Sequence, residues 1–84
     1  KRQVSLDGEL VTLSAREFDV LHALMLADGR VLSREQLEQR IYGWGQEVES
    51  NAIEVHIHHL RRKLKVELIQ TVRGVGYALA KAQP

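Results

Sequence analysis

The sequence predicts an α+β fold: a short antiparallel pair of strands, a core of three helices and a closing β-hairpin. Three observations carry this. Ser14–Glu17 and Ser33–Gln36 both read Ser-x-x-Glu/Gln ahead of an apolar residue, the pattern of a helix-opening capping box. Ile53, Ile57, Leu60 and Leu64 recur at helical spacing in a segment whose other side is polar. Alternating residues then flank Arg73-Gly74-Val75-Gly76, as in a tight hairpin.

The 84 residues make one small domain, too short to house a deep enzyme pocket easily. Hydrophobic residues at 44% and charged residues at 27% match an ordinary globular composition. No apolar run approaches the ~18 residues of a membrane span. No secretory leader pattern is read at the start, and there is no cysteine to build a disulfide framework or thiolate metal site. A reducing cytoplasm is the expected location. The net charge is only +1, but it is polarised. Between His56 and Arg73 stand Arg61, Arg62, Lys63, Lys65 and Arg73 against the single acid Glu67. Three of the four histidines lie in the same stretch, so a basic face can form on a nearly neutral protein.

Taken in order, Val4–Leu6 and Leu10–Leu13 flank Asp7-Gly8-Glu9, a hairpin signal. Ser14 opens a first helix running to about Asp28, with Gly29 as its left-handed stop. Leu13 and Phe18 are placed for a hydrophobic staple. Phe18, Val20, Leu21, Leu24, Met25 and Leu26 give this helix a wide apolar stripe and the central place in the core. Ser33 opens a second helix, Arg34 to about Tyr42, with Leu32 and Leu37 as its staple. Gly43-Trp44-Gly45 ends it, and residues 43–50 form a loop longer than the turn of a simple helix-turn-helix. A third helix covers about 51–65, with Ser50 or Asn51 as cap and no capping box. The closing hairpin covers about 69–80, with Ile69, Thr71 and Arg73 on one face.

The polar face of the third helix carries Asn51, Glu54, His58, His59, Arg61 and Arg62, with Ala52 and Val55 among them. Arg pairs with guanine, Asn with adenine, and Glu accepts from the cytosine amino group. A valine turned from the core suits a thymine methyl. A helix of this kind enters the major groove of duplex DNA. An arginine at a glycine-rich tip, Arg73, suits a narrow A·T-rich minor groove. Taken alone, a charged helix face or an arginine in an exposed turn would be ordinary surface; their pairing points to DNA. Trp44 either lids the core or donates to a phosphate, and Tyr42 and Tyr77 carry the same two readings.

His56 and His59 stand three apart on one helix, a spacing that suits Zn²⁺, but no cysteine or carboxylate completes a ligand set, so no metal is expected. His56 is expected to flank the core, and His58 and His59 to face solvent or DNA. No serine or carboxylate pair has the setting of a catalytic dyad. Ser14, Ser33 and Ser50 are explained as caps, and neither an enzyme nor a cofactor is expected.

The segments GRVLSREQL, SNAIEVHIHHLRRKL and IQTVRGVGY closely resemble the C-terminal effector domain of OmpR/PhoB-type bacterial response regulators. The resemblance covers essentially the whole chain, and the third-helix segment is similar to the polymyxin-resistance and quorum-sensing subgroup. It implies a winged helix-turn-helix that binds promoter DNA, usually as two copies in tandem. Base-reading positions map to Asn51, Ala52, Glu54, Val55, His58, His59 and Arg61, with Arg73 as the wing arginine. Phosphate positions map to Trp44, Arg62, Thr71 and Tyr77. Glu47 and Glu49 fall in the loop through which relatives touch RNA polymerase. Three departures stand out. Many relatives have arginines at His58 and His59. The family's N-terminal sheet has four strands, and residues for two are seen here. No phospho-acceptor receiver is present, so the chain is expected to be part of a longer regulator and monomeric by itself. The alternative is a protein-interaction module docking polymerase or another regulator, which calls for an exposed apolar patch where only Val55 and Val75 stand out.

Overall fold

The computed structural model describes residues 2–64 and 67–80. The chain runs β1 (Arg2–Leu6), β2 (Glu9–Leu13), α1 (Ala15–Ala27), α2 (Arg34–Tyr42), α3 (Ala52–Leu64), β3 (Ile69–Val72) and β4 (Gly76–Leu79). Strands β1 and β2 pair antiparallel with Leu6 opposite Glu9, leaving Asp7 and Gly8 as the turn. Both have positive φ (50° and 84°), the geometry that makes Asp-Gly a preferred two-residue hairpin. The strands extend beyond the apolar runs that predict them.

Both capping boxes form. The Ser14 hydroxyl accepts from the Glu17 N–H at 3.1 Å, and the Glu17 carboxylate accepts from the Ser14 N–H at 2.9 Å. Ser33 and Gln36 make the same exchange at 3.1 and 2.8 Å. Leu13, Leu32 and Leu37 are buried beside their staple partners.

Two expectations for α1 need correction. The left-handed stop begins at Asp28 (φ 51°, ψ 54°), with Gly29 following at φ 87°, because a short polar side chain tolerates that region. The core stripe also differs. Met25 and Leu26 are 56% and 62% exposed, while Ala23 and Ala27 are buried with Val20, Leu21 and Leu24. The inward face follows the helical period from Val20, and the period selects the alanines over the larger residues beside them.

The α3 stripe lies as predicted: Ile53, Ile57, Leu60 and Leu64 are buried, meeting Val20, Leu24 and Leu37 in the core. Helix α1 packs against α2, α3 and β4 and is the centre of the molecule. Among the described residues no side-chain hydrogen bond caps the start of α3. Instead Ala52 N–H donates to Glu49 O and Val55 N–H to Asn51 O, both at 3.0 Å. The expected α3 end at residue 65, and Lys65 of the positive stretch, lie outside the described residues.

Strands β3 and β4 form the closing hairpin with Val72 opposite Gly76. Gly74 takes φ 75° in the turn, where Val75 N–H donates to Val72 O at 2.9 Å. A third partner was not foreseen. Leu32, between α1 and α2, bridges to Tyr77 through two backbone hydrogen bonds of 2.8 and 2.9 Å. This explains Gly76, for which the sequence suggests only a place in the turn. A Cβ there would stand 2.0 Å from Leu32 O and 2.8 Å from Ser33 Cα. The close approach it permits is to the chain's own backbone. Among the described residues no helix is long and apolar enough to cross a membrane.

Candidate nucleic-acid interface

Because α3 commits one stripe to the core, its other face is presented outward. Glu54, His58, His59, Arg61 and Arg62 are exposed, as is Asn51 just before the helix; Ala52 is half-buried and Val55 is 39% exposed. Arg73 is exposed in the hairpin turn. Glu47 and Glu49 lie exposed in the loop before α3, and Trp44 is 82% exposed. That exposure excludes the core-lid reading of Trp44.

The helix and the hairpin are joined by a side chain the sequence assigned to base reading. One terminal nitrogen of Arg61 donates to Ile69 O and to Thr71 Oγ1, each at 2.8 Å. Arg61 and Thr71 are therefore engaged with each other across the junction of α3 and β3. A planar guanidinium suits that task, since its fixed donors span two acceptors at once. Tyr77 is half-buried beside the same junction. Burial pushes its phenol above the ordinary value, Glu54 pushes the same way, and Arg61 and Arg34 oppose them. The hydroxyl stays protonated at neutral pH and remains a donor.

A second joint holds the other edge of α3. Glu17 is 5% exposed and is the buried charged residue of the core. Lys63 Nζ donates to its Oε1 at 2.6 Å, and His59 Nδ1 lies 3.5 Å from its Oε2. Burial raises the Glu17 pKa, but the Lys63 and Ser14 hydrogen bonds and the charges of Lys63 and His59 outweigh it and leave the carboxyl below its ordinary value. Lys63 is thus half of an internal ion pair. Glu17 was read from sequence only as a cap. Its second role depends on a partner 46 residues away, which no local pattern reveals.

His56 flanks the core, as expected, and its Nε2 lies 2.7 Å from the Tyr42 hydroxyl. Burial chiefly lowers its pKa; Glu17 opposes, and Arg16 and His59 reinforce. A neutral ring accepting from Tyr42 fits that shift. The Arg16 guanidinium lies over the Tyr42 ring at 4.2 Å and donates to Ile41 O at 2.8 Å, so Tyr42 is a structural residue of the α1–α2 contact. Arg34 donates to Ser50 O at 3.4 Å and ties the start of α2 to the approach of α3. Among the described residues no group of three or more His, Cys, Asp or Glu side chains is placed to hold a metal ion.

Three helices with an exposed polar third helix and a braced hairpin beside it define a winged-helix DNA-binding domain. Residues 8–79 match the family described as "Transcriptional regulatory protein, C terminal". The chain belongs to this family, whose members include the effector domains of OmpR/PhoB-type response regulators. It is 57% identical over 82 residues to the response regulator protein PmrA of Pseudomonas aeruginosa, covering 98% of this chain and 37% of that protein. It is 52% identical over 81 residues to the transcriptional regulatory protein QseB of Escherichia coli O157:H7, covering 96% and 37%. Its fold matches the Klebsiella pneumoniae RstA DNA-binding domain, solved in complex with the RstA box, with a TM-score of 0.82 at 36% identity over 94% of this chain and 83% of that one. The DNA-binding domain of E. coli CpxR matches at TM-score 0.81 and 36% identity, over 96% and 84%. The chain therefore spans little more than a third of the length of these curated relatives. The relatives are transcriptional regulators, not enzymes.

Proposed function

We propose that this domain binds promoter DNA sequence-specifically, with α3 in the major groove and the β3–β4 wing near the adjacent minor groove. The observation that carries this is the Arg61 brace. It fixes the wing strand to the helix whose outward face holds Asn51, Glu54, Val55, His58 and His59, so both reading elements move as one body. In this reading Asn51, Ala52, Glu54, Val55, His58 and His59 face base edges, and Arg73 enters the minor groove. Arg62, Trp44, Tyr77 and Thr71 meet the phosphate backbone. Arg61 contributes by holding Thr71 and the wing, with its remaining donors free for DNA. Two copies bind in tandem in the longer regulator, and phosphorylation and dimer control belong to its other part; this domain by itself is monomeric.

A second reading concerns the loop. Exposed Glu47 and Glu49 make an acidic loop surface for a basic protein segment, and RNA polymerase is the partner proposed for it. This contact complements DNA binding and does not replace it.

Fluorescence anisotropy with labelled duplexes across a salt series tests the main reading. Tight binding with a negative salt slope is expected. Arg73→Ala should weaken binding and relax A·T preference, and His59→Ala should change preference within the major groove. No binding at low salt, or equal losses on selected and random duplexes for His59→Ala, would overturn it.

A further inference from the structure

Glu17 places one oxygen against two donors and the other against the third helix's outward-facing ring. Its Oε1 accepts from Ser14 N–H at 2.9 Å and from Lys63 Nζ at 2.6 Å. Its Oε2 faces His59 Nδ1 at 3.5 Å. The His59 side chain is 48% exposed, so the ring has one side on the carboxylate and another in solvent. A neutral imidazole carries one proton, and its site is set by what each nitrogen faces. A lone pair on Nδ1 pointed at a buried carboxylate oxygen would be repelled, whereas a proton there is attracted. In the neutral ring this arrangement favours the proton on Nδ1, which leaves Nε2 as an acceptor.

We propose that Glu17, on the first helix, is a positioning residue for base recognition: it holds the proton of His59 on Nδ1 so that Nε2 meets the groove as an acceptor. This rests on the reading that α3 lies in the major groove. An acceptor there selects the exocyclic amines, adenine N6 or cytosine N4, and disfavours the acceptors of guanine and thymine. The selectivity of one exposed residue is then decided by a buried residue 42 positions earlier that never touches DNA.

The substitution Glu17→Gln isolates the effect. Ser14 N–H and Lys63 are both donors, so the amide oxygen must take the Oε1 place and the NH₂ must face His59. Nδ1 then becomes the acceptor and the proton moves to Nε2. Side-chain ¹⁵N NMR of the DNA-free domain at pH 8 reads this directly. His59 Nδ1 should be pyrrole-like in the unsubstituted domain and pyridine-like in Glu17→Gln. Selection from a random duplex library at pH 8 should show preference at one base pair turning from A or C toward G or T, by on the order of five-fold. In a His59→Ala background, Glu17→Gln should leave the selected site unchanged. An unchanged tautomer in folded Glu17→Gln, a selected site that stays the same, or a shift that persists without His59 would each overturn the proposal. Because the NMR readout needs no DNA, it separates failure here from failure of the groove reading, which would show as absent duplex binding by the unsubstituted domain.

Discussion

Glu17 and His56 make the fold's stability depend on pH at two different points. The Glu17 carboxyl is held below its ordinary value of 4.5, so it binds fewer protons folded than unfolded. Its contribution is complete above that value and is lost as pH falls through the lower folded value. Glu17→Gln should therefore flatten the acid limb of a urea-unfolding series, though at a lower overall stability because the Lys63 ion pair is gone. His56 is also depressed, from 6.5, because burial disfavours the charged ring. For this group too the unfolded chain binds more protons, so stability falls as pH drops below 6.5 toward the folded value. His56→Gln should remove that upper step and leave the Glu17 step in place. A variant that keeps the full decline between pH 7 and 5.5 would show that His56 does not cause it. Both groups were visible in the sequence as residue types. Their shifts were not, because each depends on partners brought from another helix.

Among the elements, the two serine-opened helices and the Asp-Gly hairpin were legible because their determinants are a few residues apart. Capping boxes and two-residue turns are local hydrogen-bond problems with one good answer. The α3 stripe was legible because its apolar residues recur at one period. The α1 stripe departs from the sequence expectation, because Met25 and Leu26 face solvent while Ala23 and Ala27 are buried. Hydrophobicity alone does not fix the phase of a helix that is apolar on most sides. The Leu32–Tyr77 bridge was invisible, since it is backbone to backbone across 45 residues. It gives Gly76→Ala a definite consequence. The new methyl meets backbone atoms that cannot rotate away, so the variant should lose about 1–3 kcal/mol in chemical denaturation. Faster amide exchange should concentrate at Leu32 and Tyr77. Arg61→Ala should also speed exchange in β3, at Thr71, while α1 stays protected. Uniform exchange across the domain would argue that Arg61 does not brace the wing.

For the molecule as a whole, the charge pattern read from sequence needs one adjustment. Five cations lie between His56 and Arg73, but the charge of Lys63 is paired with Glu17, whereas Arg61 is bonded only to neutral groups of β3 and keeps its charge. Fewer are free to displace counterions than the count implies. At ~0.9 per neutralised phosphate, one domain should give a log–log salt slope of no more than about −3 to −4 from this stretch, rather than the steeper value of five contacts. A slope near −5 in anisotropy titrations would mean that Lys63 leaves Glu17 on binding or that cations outside this stretch reach the duplex. The exposed polar and basic face of α3 and the hairpin beside it were readable in the linear sequence. Which of their cations are structural was not, because that is decided by contacts between elements.

The clasp between Leu32 and Tyr77 uses no side chain, and this bears on how such a domain can diversify. Peptide groups do not mutate, so the attachment demands one specific residue, Gly76, and leaves the outward positions of the ribbon unconstrained by it. In the proposed DNA-binding role, substitutions at Arg73 can drift and be selected for new operators without unfastening the ribbon that carries it. Duplicated copies of the gene can then part ways in target choice while inheriting the same scaffold.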